Sequence, residues 1–358
     1  MVSLKRLVPC LVVSKKRGQN AKLLLSELNL LDDKMRVSSN SEKIFWPLVR
    51  EVSEEERILL KGKLGDFELL YAEVEPRNGR SRNIFEELEG KLSPSQLASL
   101  PHSYDMVGDI AVLEIPLELS DQKFLVGEAI LRVHKNIKVV LAKAGKVDGV
   151  NRIRSFTHLA GENRTTTLHR ENDSVFRVDL ASAYFSPRLV TEHARVASQV
   201  SPGEIVIDLF AGVGPFSIQI AKRVDVQVYA IDINRTAIEL LKQNIRLNKV
   251  DGKVFPILGD ARKIVDEKLH SQADRVIMNL PGEAEKFIDV ACLAVKPEGG
   301  IIHYYQFSPS PNFTDETVNT LVKGVEANSR KVTKILAHRR VRPSAPREWQ
   351  VVVDAQIK

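Results

Sequence analysis

From about residue 190 onward, short apolar runs alternate with amphipathic helical segments, and this alternation restricts the fold more than any other feature of the chain. Glu204–Leu209, Gln227–Ile231, Val254–Leu258, Arg275–Met278 and Gly300–Tyr304 have the length and side chains of buried strands. Between them, Thr236–Asn248 carries Ile238, Leu241 and Ile245 at helical spacing, and Glu283–Val295 carries Phe287, Val290 and Ala291. Strands separated by helices pair in parallel and bury both faces of their sheet under those helices. The pattern predicts an α/β domain over residues 179–358, closed by two further strands at Lys331–Ala337 and Trp349–Ile357. Ligands of such sheets bind beyond the carboxyl ends of the strands.

A chain of 358 residues exceeds one ordinary core. Residues 1–75 form a first unit, whose start carries Lys5, Arg6, Lys15, Lys16, Arg17 and Lys22 before any acid appears. The polar, turn-rich stretch Pro76–Asn83 reads as a linker. Residues 84–178 form an α+β middle domain, with a strand at Ile110–Ile115 and a helix at Asp121–Lys135 that sets Phe124, Ala129 and Val133 toward one side. Val139–Ala142 adds a strand, and Glu171–Ser174 is the turn of a hairpin. With 52 Lys and Arg against 46 Asp and Glu, the net charge of +6 favours a polyanionic partner, although a solvated basic face gives the same count. Cys10 and Cys292 have no partner at ligand spacing, which excludes a disulfide framework or zinc site and suits a reducing cytoplasm. No apolar run is long enough to span a membrane, and the opening residues, with Pro9 and a following Lys15-Lys16-Arg17, read as a strand rather than a signal peptide.

The first strand-to-helix turn of the α/β domain is Asp208-Leu209-Phe210-Ala211-Gly212-Val213-Gly214-Pro215-Phe216. Its two glycines permit a close backbone approach, and Pro215 suits the first helical position. The third spaced glycine of dinucleotide loops is absent. Asp232 ends the next strand, placed to accept ribose hydroxyls, and Asp260 ends the third, placed to meet an adenine amino group. Strand-end aspartates also cap helices. Three in succession, Asp208, Asp232 and Asp260, resemble the S-adenosylmethionine site of class I methyltransferases. That ligand has a ribose, an adenine and a sulfonium, and no phosphate.

The fourth strand runs into Asn279-Leu280-Pro281-Gly282, and the α/β domain is preceded by Tyr184-Phe185-Ser186-Pro187-Arg188-Leu189-Val190-Thr191-Glu192. Together with the glycine loop and Ser103–Ala111, these stretches resemble the archaeal and eukaryotic type of tRNA (guanine-N1)-methyltransferase over nearly the whole chain. The resemblance implies a Rossmann-like, S-adenosylmethionine-binding catalytic domain, a tRNA-binding first unit, and a cytoplasmic, monomeric enzyme methylating the guanine 3′ of the anticodon. It implies Glu192 as general base, an arginine from Asn151-Arg152-Ile153-Arg154 stabilising O6, and Asn279 orienting the base. Arg152 is favoured for that arginine and Arg154 is expected to bind the substrate, with Arg154 as the alternative at O6. Tyr184 and Pro281 would wall the base pocket. Cofactor contacts would come from Asp208, Phe210, Gly212, Gly214, Asp232, Ile233, Asp260, Ala261 and Asn279. No metal is implied. His169 and His193 are expected to be bystanders, and the basic Lys331, Lys334, Arg339, Arg340, Arg342 and Arg347 to contact the tRNA backbone. Without the resemblance, Glu192 reads as a first-turn acid at a helix N-terminus. Three alternatives compete: an aminocarboxypropyl transferase of wyosine synthesis, a non-catalytic RNA-binding protein and a small-molecule methyltransferase; methylation of a wyosine precursor is a second activity the resemblance allows.

Overall fold

The alternation in the last half of the chain becomes a seven-stranded sheet. In the computed structural model, which describes residues 5–76, 83–148, 153–309 and 313–358, its strands are β1 (Ile205–Asp208), β2 (Gln227–Asp232), β3 (Val254–Leu258), β4 (Arg275–Met278), β5 (Gly300–Pro309), β6 (Val332–Ala345) and β7 (Glu348–Ile357). Their order is β3-β2-β1-β4-β5-β7-β6. β1 to β5 are parallel, and β7 runs antiparallel between β5 and β6. The order reverses between β1 and β4, which opens a crevice at their carboxyl ends. The helices are α1 (Val190–Ala197), α2 (Pro215–Arg223), α3 (Arg235–Asn248), α4 (Ala261–Lys268), α5 (Ile288–Ala294) and α6 (Phe313–Ala327). The sequence pattern shows neither α6 nor the full reach of β6. The expected helix over Glu283–Val295 is a short 3-10 turn, Ala284–Phe287, followed by α5.

α3 shows why these elements form where they do. Asn234 accepts from the backbone N–H groups of Thr236 and Ala237 and starts the helix. Ile238, Leu241 and Ile245 are buried, and each contributes roughly 1.5–3 kcal/mol by leaving water. Asn244 and Asn248, one turn apart, bond both backbone polar groups of Arg177 and Val175. They thereby pair the free edge of the hairpin Thr166–Glu171/Ser174–Asp179.

The molecule divides into two units, Met1–Asn83 and Ile84–Lys358. The middle segment therefore shares a unit with the seven-stranded sheet. Val107, Ile110, Val112, Val139 and Leu141 belong to one continuous core with Phe176, Val206, Phe216 and Leu241. That segment has its own four-stranded sheet and the helix Lys123–Val133. The helix buries Val126, Ala129 and Ile130, while Phe124, expected on its packed side, is exposed, with Lys123 over its ring. The first unit is an antiparallel four-stranded sheet with helices Gly18–Glu27 and Glu54–Leu64, around Leu11, Leu25, Leu48 and Leu60. Its second helix starts on a capping box between Ser53 and Glu56. Among the described residues, no helix is long and apolar enough to cross a membrane, and no group of side chains is arranged to hold a metal ion.

Candidate functional site

A cavity of about 630 Å³ lies at the carboxyl ends of β1, β2, β3 and β4. The glycine loop forms its floor. Gly212 has φ +57° and Gly214 φ +90°, left-handed values that favour glycine. Gly212 N–H donates to the Asp232 carboxylate at 2.7 Å, and Asn234 N–H donates to its other oxygen at 2.8 Å. Burial pushes the Asp232 carboxyl up from its ordinary pKa. Asp260 lines the same cavity and also caps α4, accepting from Arg262 N–H at 2.8 Å, so capping and lining are one arrangement. The lining includes Asp232, Asp260 and Glu283 and no lysine or arginine. A ligand carrying a cation, ribose hydroxyls and an amino group fits this donor-accepting wall, and a pyrophosphate does not. S-adenosylmethionine meets the requirement.

Phe210, Gly212, Ile233, Ala261 and Asn279 line the cavity. Asp208 and Gly214 do not. Gly214 instead starts α2 as its left-handed N-cap. Asp208 is fully buried behind the loop, accepts from the Ser217 hydroxyl at 2.8 Å, and has no partner for Oδ1. Burial pushes its carboxyl up to about 7. The side chain ties β1 to α2 and does not line the cavity, where the sequence reading expected a direct cofactor contact.

A second cavity of about 810 Å³ lies between the middle segment and the sheet, and Tyr184 lines both cavities. The character of this one is opposite. Its wall includes Lys143, Arg154, Arg188 and Arg342, partly offset by Asp105 and Glu114. Arg188 is anchored on Asp105 at 2.6 Å. Arg154 reaches the Gly145 carbonyl at 3.4 Å, whereas Arg152 lies outside the described residues. The Asn279–Pro281 turn is held on two sides. Gln350 Nε2 donates to Asn279 Oδ1 at 3.0 Å, and Phe307 N–H donates to the Pro281 carbonyl at 3.1 Å.

Glu192 lines neither cavity. It sits in the first turn of α1, 1% exposed, inside a buried ionic cluster. Arg195 grips it with Nη2 at 2.6 Å and Nε at 3.0 Å, and the Tyr305 hydroxyl donates to it at 2.7 Å. Burial holds the Tyr305 phenol well above its ordinary pKa, so it stays a donor. The same Arg195 bonds Asp354 on β7 at 2.5 Å, and Asp354 accepts from His303 Nδ1 at 2.6 Å. Arg275 faces His303 Nε2 at 2.9 Å. A guanidinium only donates, so Nε2 carries no proton and His303 is the neutral Nδ1–H tautomer. Burial also pushes the His303 pKa down. Burial works against the charged form of Asp354, but His303 and Arg195 outweigh it and hold the carboxyl below its usual range.

Sequence reasoning missed Arg195, Tyr305, Gln350 and Asp354. One signal was available: Gln350 and Asp354 interrupt the otherwise apolar run of β7, and a polar residue in a buried strand requires a partner. Arg342, expected to contact the tRNA backbone, lines the second cavity and bonds Tyr184 and Gln350. Arg340 lies over the Trp349 ring. His193 packs on Phe216 and bonds Glu171, and His169 packs on Phe185, which lines the second cavity; neither histidine lines either cavity itself.

Comparison with known proteins agrees with this geometry. A family model described as TRM5/TYW2 methyltransferase domain matches residues 167–334. The TYW2 N-terminal domain matches 84–165, and the tRNA methyltransferase 5 N-terminal domain matches 10–56. The chain is 39% identical over 346 residues to tRNA (guanine(37)-N(1))-methyltransferase Trm5b of Pyrococcus abyssi, covering 96% of this chain and 98% of that one. It is 32% identical over 275 residues to a tRNA(Phe) (4-demethylwyosine(37)-C(7)) aminocarboxypropyltransferase of Pyrococcus horikoshii, covering 76% and 95%. The solved complex of aTrm5 and tRNALeu superposes with a TM-score of 0.80 at 38% identity, over 98% of this chain and 99% of that one. This chain belongs to the TRM5/TYW2 family of S-adenosylmethionine-dependent methyltransferases.

Proposed function

We propose that the protein methylates N1 of guanosine 37 in tRNA, acting as a cytoplasmic monomer. The observation that carries this is the meeting of two cavities of opposite character at Tyr184. One is acidic and suits a sulfonium cofactor; the other is rich in cations and suits a nucleotide entering from an RNA chain. When bound, S-adenosylmethionine supplies an electrophilic methyl group. Asp232, Asp260 and the glycine loop hold the ribose and adenine sides. Asn279 and Pro281 flank the base, and Tyr184 packs at the junction. The match of residues 10–56 to the Trm5 N-terminal model favours this function over aminocarboxypropyl transfer, whose relative covers only 76% of the chain. The first unit, residues 1–75, is assigned to tRNA binding, ahead of a middle domain at 84–178 and a catalytic domain at 179–358.

Guanine N1 carries a proton, so methylation requires a base, and negative charge then gathers on O6. Glu192 is assigned that role, with Arg152 or Arg154 as the cation at O6. Two contacts on β5 support the placement. Tyr305, which bonds Glu192, lies two residues before Phe307, which bonds Pro281. These positions are about 7 Å apart along a strand. To accept a proton, Glu192 must exchange part of its Arg195 pairing for the incoming base.

Mass spectrometry of tRNA nucleosides after incubation with the protein and S-adenosylmethionine tests the assignment. 1-Methylguanosine is expected. An aminocarboxypropyl product, or no product, refutes it. Glu192→Ala is expected to lose turnover at least about 100-fold while retaining cofactor affinity, and full-rate methylation by that variant removes Glu192 from the mechanism.

A further inference from the structure

Three hydrogen bonds join Tyr184, at the junction of the cavities, to Asn279 at the end of β4. Arg342 Nη2 donates to the Tyr184 hydroxyl at 3.0 Å, and Arg342 Nε donates to Gln350 Oε1 at 2.8 Å. Gln350 Nε2 then donates to Asn279 Oδ1 at 3.0 Å. Arg342 and Gln350 are registered partners across the β6–β7 ladder, so the backbone fixes their separation. Gln350 is 1% exposed, although it borders the cofactor cavity.

A side-chain amide is nearly symmetric in shape and has a donor at one end and an acceptor at the other. A guanidinium has donors only. The Gln350 oxygen must therefore face Arg342, which sends its NH₂ toward Asn279. The Asn279 oxygen must then face Gln350, and the Asn279 NH₂ is left for the cofactor cavity that Asn279 lines. The polarity of a site residue is thus set two side chains away, by a group that cannot accept.

We propose that Arg342 and Gln350 are positioning residues that lock the Asn279 amide with its NH₂ toward the incoming base, selecting a base edge with an acceptor beside the reacting nitrogen. This rests on the function proposed above, in which the base sits beside Asn279. In guanine the acceptor is O6, where charge gathers as N1 loses its proton, and a preoriented donor there acts on the transition state. The opposite orientation would set a lone pair against O6 and suit an amino group at position 6, as in adenine, instead.

The test compares Gln350→Glu, Gln350→Leu and Asn279→Ala in the full-length protein, by steady-state methylation of a tRNA transcript and by direct S-adenosylmethionine binding. Gln350→Glu keeps the Arg342 bond but offers Asn279 only acceptors, so it turns the amide over and holds it in the wrong sense. Gln350→Leu removes both bonds and leaves the amide free to rotate. The expected fall in kcat is about 10-fold for Gln350→Leu and about 100-fold or more for Gln350→Glu. KM for tRNA and cofactor affinity stay within about 3-fold of the parent. A purely structural role predicts the reverse order, since the leucine variant loses more bonds. Equal losses, or a leucine variant worse than the glutamate one, overturn the proposal. If Asn279→Ala methylates at the parent rate, the placement of the base beside Asn279 fails along with its orientation; if Asn279→Ala is impaired and both Gln350 variants are normal, only the orienting role fails. Should Gln350→Glu not fold, Arg342→Gln replaces the obligate donor by a reversible amide. It is expected to lower kcat about 10-fold, and an unchanged kcat overturns the proposal.

Discussion

Replacing Arg195 by methionine isolates the buried cluster beneath the site. Arg195 is the cation shared by Glu192 and Asp354, whose side chains are each 1% exposed, while its own is 14% exposed. Methionine fills much of the volume but removes the cation that both carboxylates share; Tyr305 still donates to Glu192, His303 to Asp354, and the half-exposed Arg339 stands 3.8 Å from Glu192. Removing one partner of a buried ion pair costs about 3–5 kcal/mol. A second route gives a similar limit. A stranded carboxylate escapes its cost by taking a proton, and at pH 7 that costs an aspartate about 1.4 kcal/mol for each of roughly three pH units, or about 4 kcal/mol. At pH 5 the same escape costs only about 1.5 kcal/mol. The sign follows from Asp354, whose pKa is depressed in the folded parent. Its stabilisation is present above the unfolded carboxyl pKa and is lost as pH falls through the folded one. That loss lies below the unfolded carboxyl pKa of about 4, so between pH 7 and 5 the convergence comes from the variant, whose stranded carboxylate takes up a proton as pH falls. The expected deficit is about 3–5 kcal/mol at pH 7, a drop in melting temperature of about 6–20 °C for a unit of this size. It should shrink by at least about 2 kcal/mol at pH 5. Circular dichroism melts at both pH values, with Asp354→Asn and the double variant to complete a cycle, measure it. The double variant should recover at least about 1 kcal/mol relative to the sum of the singles. A variant melting within about 2 °C of the parent at pH 7, or a deficit independent of pH, refutes the cluster as described.

Asp208→Asn is expected to show the opposite pH trend. Burial raises the Asp208 carboxyl to about 7, so its contribution is present at low pH and lost as pH rises through that value. Urea melts should therefore show the parent gaining on the variant by about 1.4 kcal/mol per unit as pH falls from 7 toward 5, and a flat difference refutes the assigned burial. Gly214→Ala combines a φ of +90° with a Cβ that would lie 2.3 Å from Leu241 Cδ1 and 3.2 Å from Ile218 Cδ1, both fully buried. It should cost about 2–4 kcal/mol of stability. The control Gly252→Ala has φ +79° with open space around the added carbon and should cost only about 1–2 kcal/mol; equal costs refute the steric account.

The sheet was legible because its central strands β1 and β4 are buried and helices separate the parallel strands, so local composition and tertiary demand coincide; the edge strand β3, with Phe255 and Leu258 exposed, was legible from its apolar run alone. The glycine loop was legible for the same reason: Gly212 and Gly214 occupy left-handed backbone that few other residues adopt. The orientation of Asp208 was not, because a strand-end aspartate has the same sequence signature whether it faces a ligand or the helix behind it, and only the Ser217 contact decides. Phe124 misled because periodicity registers hydrophobicity and not which flank of a helix a neighbour covers; Val126 and Ile130 took the core side. The boundary expected near residue 178 follows a real change of pattern, yet Phe176 and Val178 pack in the same core as β1 and α2, so no break in packing accompanies it.

The last strand explains why the site resisted a motif-based account. β7 lies antiparallel against β5, and its buried residues face neighbours far away in the chain. Gln350 and Asp354 are four residues apart in a strand of period two, so they project from the same face. One holds Asn279 directly, and the other holds Arg195, which holds Glu192. The two residues assigned to the chemistry come from separate motifs, Glu192 ahead of the sheet and Asn279 at its fourth strand, and neither motif encodes its distance from the other. Their common support is a strand that a residue-by-residue search passes over as ordinary core. A one-residue slip in the β5–β7 register would turn both polar side chains to the opposite face and release Asn279 and Arg195 together. The register of the terminal hairpin is therefore a condition for the site as much as the glycine loop is, and substitutions along β7 should act on the base side of the reaction while leaving the acidic cofactor wall formed by β2 and β3 intact.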